Sequence, residues 1–245
     1  MKHIFLICSA LVLLICGVSA QKEKVPTVEV SLYAFEHHRD HRTIFLKSPK
    51  NEPYEIALSR ANILGPFKTM TDDKGRVTLR KKATNADGET IYPMLTRVTI
   101  PAGVKEPLLI LIPIRGDSGY RSHVVDRSLA SFPVGSYKIY NFSPTMIRGL
   151  VGKTQVNVSP KKLFAFNPSA NVEDLMDVHF QYMNGEVWKT FGRTRWVKVN
   201  EKRTLLCVFE DPRTKRMKIR GVSMESIQPL RDRKKAKKPK QKAEN

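Results

Sequence analysis

The densest set of coordinating side chains in the chain is Glu36-His37-His38-Arg39-Asp40-His41. Imidazole and carboxylate are the ligands that hold zinc and similar cations, so this segment is the first candidate for chemistry. On an extended strand Glu36, His38 and Asp40 share one side, and His37 and His41 share the other. No three of them converge on one ion unless the segment folds into a loop, and Arg39 and Arg42 repel a cation. A solvated hairpin tip is the expectation, with no metal. The sequence also lacks a Gly-rich phosphate loop, a His-Glu-x-x-His helix, a Cys pair and a dinucleotide fingerprint, so no cofactor is expected.

Gly116-Asp117-Ser118-Gly119 resembles the nucleophile region of trypsin-like serine proteases. The likeness ends at Tyr120, where that family continues with Gly, and no His-Cys segment upstream supplies a base. A nucleophilic serine needs a positioned base and a third group to orient it. His123 and Asp126 are near along the chain, which is not the same as a triad in space. Arg115-Gly116-Asp117 reads as an adhesion tripeptide, a pattern too short to be specific. Paired carboxylates for glycosidic cleavage leave no trace in spacing alone. The expectation is a protein that is not an enzyme, with a hydrolase lacking any recognisable motif as the third choice.

Charge is the stronger signal. Lys and Arg number 43 against 23 Asp and Glu in 245 residues, a formal net charge of +20. A field of that sign attracts anionic partners. Within 216–222, Arg216, Lys218 and Arg220 alternate with Met217 and Ile219, so a strand there points its cations to one side. Alternate strand positions lie about 6.6–7 Å apart, close to the spacing of successive phosphates or of carboxylates on an acidic glycan. Charged strands also protect sheet edges from aggregation, and that is the competing explanation for the stripe. Residues 231–245 hold eight cations against two acids and no large apolar residue. They are expected to be a disordered tail whose Lys234, Lys235, Lys237, Lys238, Lys240 and Lys242 act as a diffuse tether, or only as a solubilising end.

Asn184-Gly185 between two β runs is the preferred type I′ hairpin turn. A two-residue loop there pairs Met183 with Glu186, Gln181 with Trp188 and Phe180 with Lys189. One face then carries Val178, Phe180, Tyr182, Val187 and Phe191, and the wetter face carries His179, Gln181, Met183 and Trp188. If the strand passes Gly192 without a bulge, Trp196 joins Trp188 there. Indoles beside cations can stack on a sugar or base, or seat a partner chain. The opposing reading covers this face with other chain, or has a bulge at Gly192 turn Trp196 inward, as the usual burial of tryptophan favours.

The elements that must position these groups read as strands nearly throughout. Runs rich in β-branched and aromatic residues fall at 28–35, 43–46, 77–80, 91–100 and 108–114, then at 136–142, 154–158, 162–166, 177–183, 186–199, 204–209 and 216–222. Gly, Pro, Asn and Asp clusters separate them. The best helix candidate is 170–176, with Asn171 as its cap. An apolar run gives way to Gly, Asp, Ser and Arg at 115–131, which is expected to be a linker between two β-sandwich lobes, 25–114 and 132–226. One continuous larger sandwich is the runner-up.

Residues 1–20 read as an export signal: a positive start at Lys2, an apolar stretch at 4–16, and Val18-Ser19-Ala20 ahead of a cleavage point. An uncleaved N-terminal anchor is the alternative. Two of the three cysteines lie in that segment, so Cys207 has no internal partner and is expected to be a small buried hydrophobe. A secreted chain without disulfides suits a bacterial envelope. The sequons at Asn141 and Asn157 carry little weight.

Pro133-Val134-Gly135-Ser136-Tyr137, running into 138–142, resembles the strand entry common in bacterial immunoglobulin-like sandwiches. With the leader and the Lys-rich end, the chain is similar to uncharacterised exported bacterial β proteins. The resemblance implies immunoglobulin-like lobes and a periplasmic or extracellular location, and no activity. The expected function is to hold an anionic partner: a cell-wall polymer, an acidic polysaccharide, a lipid headgroup at a membrane surface, or nucleic acid, which is not favoured. The alternative is a structural or assembly module that offers sheet edges or its Trp face to an envelope protein.

Overall fold

A computed structural model of the chain describes residues 26–50, 52–114, 119–169, 174–211, 214–224 and 226–227. All regular structure among them is β. In chain order the first strands are β1 (Thr27–Ala34), β2 (Thr43–Leu46), β3 (Tyr54–Ala57), β4 (Ile63–Met70), β5 (Arg76–Arg80), β6 (Ala83–Thr84), β7 (Thr90–Ile91), β8 (Met94–Thr99), β9 (Pro107–Pro113) and β10 (Tyr120–Asp126). There follow β11 (Tyr137–Asn141), β12 (Ile147–Val151), β13 (Thr154–Val158), β14 (Leu163–Phe166), β15 (Leu175–Asn184), β16 (Val187–Val197), β17 (Thr204–Glu210), β18 (Met217–Ser223) and β19 (Ser226–Ile227).

Four sheets and a small β6–β7 ribbon result. Sheet I has the order β3-β2-β5-β8, sheet II β10-β9-β1-β4-β19, sheet III β14-β11-β17-β18 and sheet IV β13-β12-β15-β16. Side-chain alternation decides how they stack. Val30, Leu32 and Ala34 of β1 join Ile44, Leu46, Val77 and Leu79 of sheet I in one core. The intervening Tyr33, with Phe35 just beyond the strand, points the other way and meets Leu205, Cys207 and Phe209 of β17. From β17, Leu206 and Val208 turn back toward Val156, Val178 and Phe180 of sheet IV. The layers therefore run I–II–III–IV, with the inner strands β1, β9 and β17 of sheets II and III buried on both faces. Strands buried on both faces need continuous apolar runs rather than alternating ones, and 108–111 and 205–209 are such runs.

Three connections differ from expectation. The stretch 115–131 is not simply a linker: β10 occupies Tyr120–Asp126 and pairs antiparallel with β9 along its whole length. Of the helix candidate at 170–176, residues 170–173 lie outside the described set, and Leu175 and Met176 open β15. The closing strand β19 pairs in parallel with β4, Ser226 opposite Ile63, so the end of the described chain completes a sheet begun near its start.

The β15–β16 hairpin turns at Gly185-Glu186, pairing Asn184 with Val187, Met183 with Trp188 and Tyr182 with Lys189. The register is two residues away from the expected one, and an even shift leaves each side chain on the same face. Positive φ is needed at Gly185, where φ is +64°. The pairing slips between Phe180 and Gln181, leaving Phe191 as an extra residue on β16. Beyond that bulge the faces exchange. Trp196 pairs with Met176, packs against the core and lies 6.2 Å from the Phe180 ring. Trp196 is therefore turned toward the core, half-buried, and does not share the outer face with Trp188.

Candidate functional site

The outer face of sheet IV collects side chains from four strands, mostly polar, with the exposed Leu150 among them. Gln155 and Asn157 come from β13, Arg148 and Leu150 from β12, His179 and Gln181 from β15, and Trp188, Thr190, Arg193 and Arg195 from β16. Their partners at the intervening positions, Val156, Ile147, Val178 and Phe180, are buried, and this alternation is what turns the polar set outward. The Arg148 guanidinium lies 4.2 Å over the Trp188 ring, and its Nε donates to Gln181 Oε1 at 2.8 Å. His179 Nε2 and Thr190 Oγ1 are 2.9 Å apart, and Arg195 Nε donates to Asp177 Oδ1 at 3.0 Å. Arg193 pairs in register with His179 and has no acidic partner among the described residues. A shallow hollow of about 390 Å³ runs between Arg148, Gln155, Asn157, His179 and Gln181.

Trp188 thus faces outward as expected, but a guanidinium covers part of its ring. Arg148 belongs to no sequence motif. Its signal is the alternation Ile147 in, Arg148 out, with Gly149 interrupting the apolar pattern that would have revealed β12. Together these groups offer amide donors and acceptors, cations and a flat stacked surface.

The stripe on β18 does not form a row of free cations. Lys218 is ion-paired to Asp211. Arg220 donates to the Phe35 carbonyl and to Glu36 Oε1, the latter at 3.1 Å, and stacks over the rings of Phe35 and Phe209. Only Arg216, just before the strand, is exposed without an acidic partner among the described residues. The reason is layering. The face of β18 opposite Met217 and Ile219 shares its side with Cys207 and Phe209, which pack on sheet II. Arg220 is therefore a fastening between sheets. The six lysines expected to act as a tether, Lys234, Lys235, Lys237, Lys238, Lys240 and Lys242, and the segment 1–20 expected to be an export signal lie outside the described residues.

The segment 36–41 is not a solvated tip. It folds over the end of sheet II, and His38 is only 8% exposed. The His38 N–H donates to Tyr120 Oη at 2.8 Å, and Tyr120 Oη donates to the His41 carbonyl at 2.6 Å. The His38 and His41 rings stack at 4.9 Å, and His37 Nε2 lies 3.1 Å from the Leu58 carbonyl. Among the described residues no three His, Cys, Asp or Glu side chains are placed to hold a metal ion.

Beside this segment a cleft of about 680 Å³ opens between the ends of sheets II and III. Phe35, Ile112, Phe142 and Phe209 line it, with Arg39, Arg121 and Lys161 also contributing. Glu36 is bound by Arg60 at 2.9 Å as well as by Arg220. Burial disfavours its carboxylate, but the hydrogen bonds from those two arginines outweigh burial and hold its pKa below the usual value. His123 Nδ1 lies 2.9 Å from Tyr140 Oη. Burial first, and the Arg121 charge second, lower the His123 pKa.

Other singled-out groups have structural partners. Asp126 spends its carboxylate on the backbone N–H groups of Glu106 and Ser128 and on the Ser128 hydroxyl. Residues 115–118 lie outside the described set. Asn141 is fully buried, its amide donating to the Thr145 and Val158 carbonyls, so that sequon is closed to modification. Cys207 is buried, and desolvation pushes its thiol up to about 12.

No family model matches the chain, and no curated protein matches it significantly. Among the described residues no helix is long and apolar enough to cross a membrane.

Proposed function

We propose that the chain is an exported, non-enzymatic binding protein that holds an acidic polysaccharide on the outer face of sheet IV. In this reading sheets I and II form one immunoglobulin-like sandwich, sheets III and IV a second, and the two stand back to back. The observation that carries the proposal is the Arg148–Trp188 stack flanked by Arg193 and by the amides of Gln155, Asn157 and Gln181. Guanidinium groups match glycan carboxylates, amides match hydroxyls, and the net charge of +20 supplies long-range attraction. Binding is favoured over catalysis because Asp126, the carboxylate nearest to His123 along the chain, is committed to a turn.

The test is retention on immobilised polygalacturonate against a neutral polysaccharide, at low and high salt. Full-length protein is expected to be retained on the acidic polymer alone, and released by salt. Arg148→Ala combined with Arg193→Ala should weaken retention by about tenfold, the weight of two partly screened contacts. Deleting 231–245 should lower the salt dependence without abolishing retention. Equal retention of the double variant and the parent would refute the site.

A further inference from the structure

We propose that the cleft between sheets II and III is a second binding site, for a small amphiphilic carboxylate with an acyl or aryl body. The site is independent of the sheet IV face. Its apolar wall is pre-built. The Phe35 and Phe209 rings meet edge to face at 4.3 Å, Phe35 and Phe142 lie 5.8 Å apart, and Phe142 stacks on Tyr140 at 4.2 Å. These rings belong to the core between the two sheets, so the wall does not have to assemble around a ligand.

The charges around that wall are unbalanced in one direction. Both acids at the cleft are occupied, Glu36 by Arg60 and Arg220, and Glu210 by Lys215 at 3.3 Å. Arg39, Arg121 and Lys161 come from three separate parts of the chain, are exposed, and have no acidic partner among the described residues. His123 carries no negative charge in either protonation state, and its Nδ1 is engaged by Tyr140 Oη at 2.9 Å.

These features select the ligand class. A cation meets three like charges. A small polar anion leaves the phenyl wall against water, and a neutral apolar molecule leaves the arginines unused. An apolar body with one carboxylate satisfies both parts. The volume, about 680 Å³, sits inside the roughly 300–1,000 Å³ range of small-ligand sites, which favour junctions between packed units.

Calorimetric titration of the full-length protein with decanoate, below its micellar range, is the test. The expected result is saturable binding of one decanoate per chain, weakened about tenfold by Arg121→Gln combined with Lys161→Gln, as loss of two partly exposed charge contacts implies. Both changes are at exposed positions, so the fold is retained. Decyltrimethylammonium, with the same tail and opposite charge, should give no saturable heat. No decanoate binding, binding indifferent to the double change, or equal binding of the ammonium compound overturns the proposal. Arg148→Ala with Arg193→Ala should leave decanoate affinity unchanged, so failure on the polysaccharide and failure in the cleft are separate results.

Discussion

Histidine chemistry in this chain is set by what covers each ring. His41 loses basicity through burial first, then through its electrostatic interactions with His38 and Lys81, and His123 through burial and Arg121. In the unfolded chain both titrate near 6.5. Below that pH the unfolded state takes up protons that the folded state resists. Stability is therefore complete above 6.5 and declines as the pH falls through the lowered folded values. Urea midpoints measured across this range should fall on acidification, and His123→Gln should make the decline shallower. A midpoint independent of pH between 7 and 5 would contradict the burial of these rings. Little of this was legible in the sequence. The cluster 36–41 was visible as ligand types, but Tyr120, the phenol that ties it down, lies far along the chain. The alternation placing Arg216, Lys218 and Arg220 on one side was equally visible, whereas the sheet packed on that side was not.

At the scale of elements, period-two apolar patterning revealed strands wherever it was uninterrupted. β2 and β13 fall where expected, and β1, β5, β9, β11 and β17 are shifted by a residue or so at their ends. Three of the missed strands lack an uninterrupted apolar alternation. β4 contains Gly65-Pro66, β12 contains Gly149, and β10 alternates polar residues because only part of it is covered. Gly149 is required by its opposite number. A Cβ there would overlap the Phe180 ring and lie 2.9 Å from the His179 carbonyl. Gly149→Val should therefore destabilise the protein by about 2 kcal/mol, the usual range for overpacking, and displace Phe180 from its contacts with Phe191 and Trp196. Chemical denaturation and the fluorescence of the Trp196 environment would measure both. The hairpin teaches the complementary lesson. Its existence was legible from Asn184 and Gly185, and Gly192 marked where the strand could bulge, one residue from the extra Phe191.

For the molecule as a whole, the contact between sheets II and III is, like the other two cores, a cluster of buried apolar residues. It contains Tyr33, Leu108, Ile110, Leu205 and Cys207, and Arg220 and Arg203 cross it to carbonyls on the far side. An interface of that kind couples the sheets on either side. The chain should unfold in urea as one transition by both fluorescence and circular dichroism. Arg220→Ala should lower its stability by about 2 kcal/mol, because Glu36 and the Phe35 carbonyl lose a shared partner. Arg220→Lys should restore part of it. Two separate transitions in the parent protein would mean that the sheets flanking Arg220 unfold independently. The all-β class was readable from composition and spacing. The order of the layers was not, since it depends on which of two apolar faces of β1 and β17 meets which sheet.

The parallel pairings carry a consequence for how the molecule is made. β1 waits for β9, β11 waits for β17, and β4 gains its neighbour β19 only when residue 226 has emerged. Each closure spans a long loop, and such loops are entropically expensive until later contacts reward them. Until β19 arrives, sheet II stays open at one margin. Its completion is thus a late event, and a chain cut just before residue 226 would leave a raw β margin available to any passing strand.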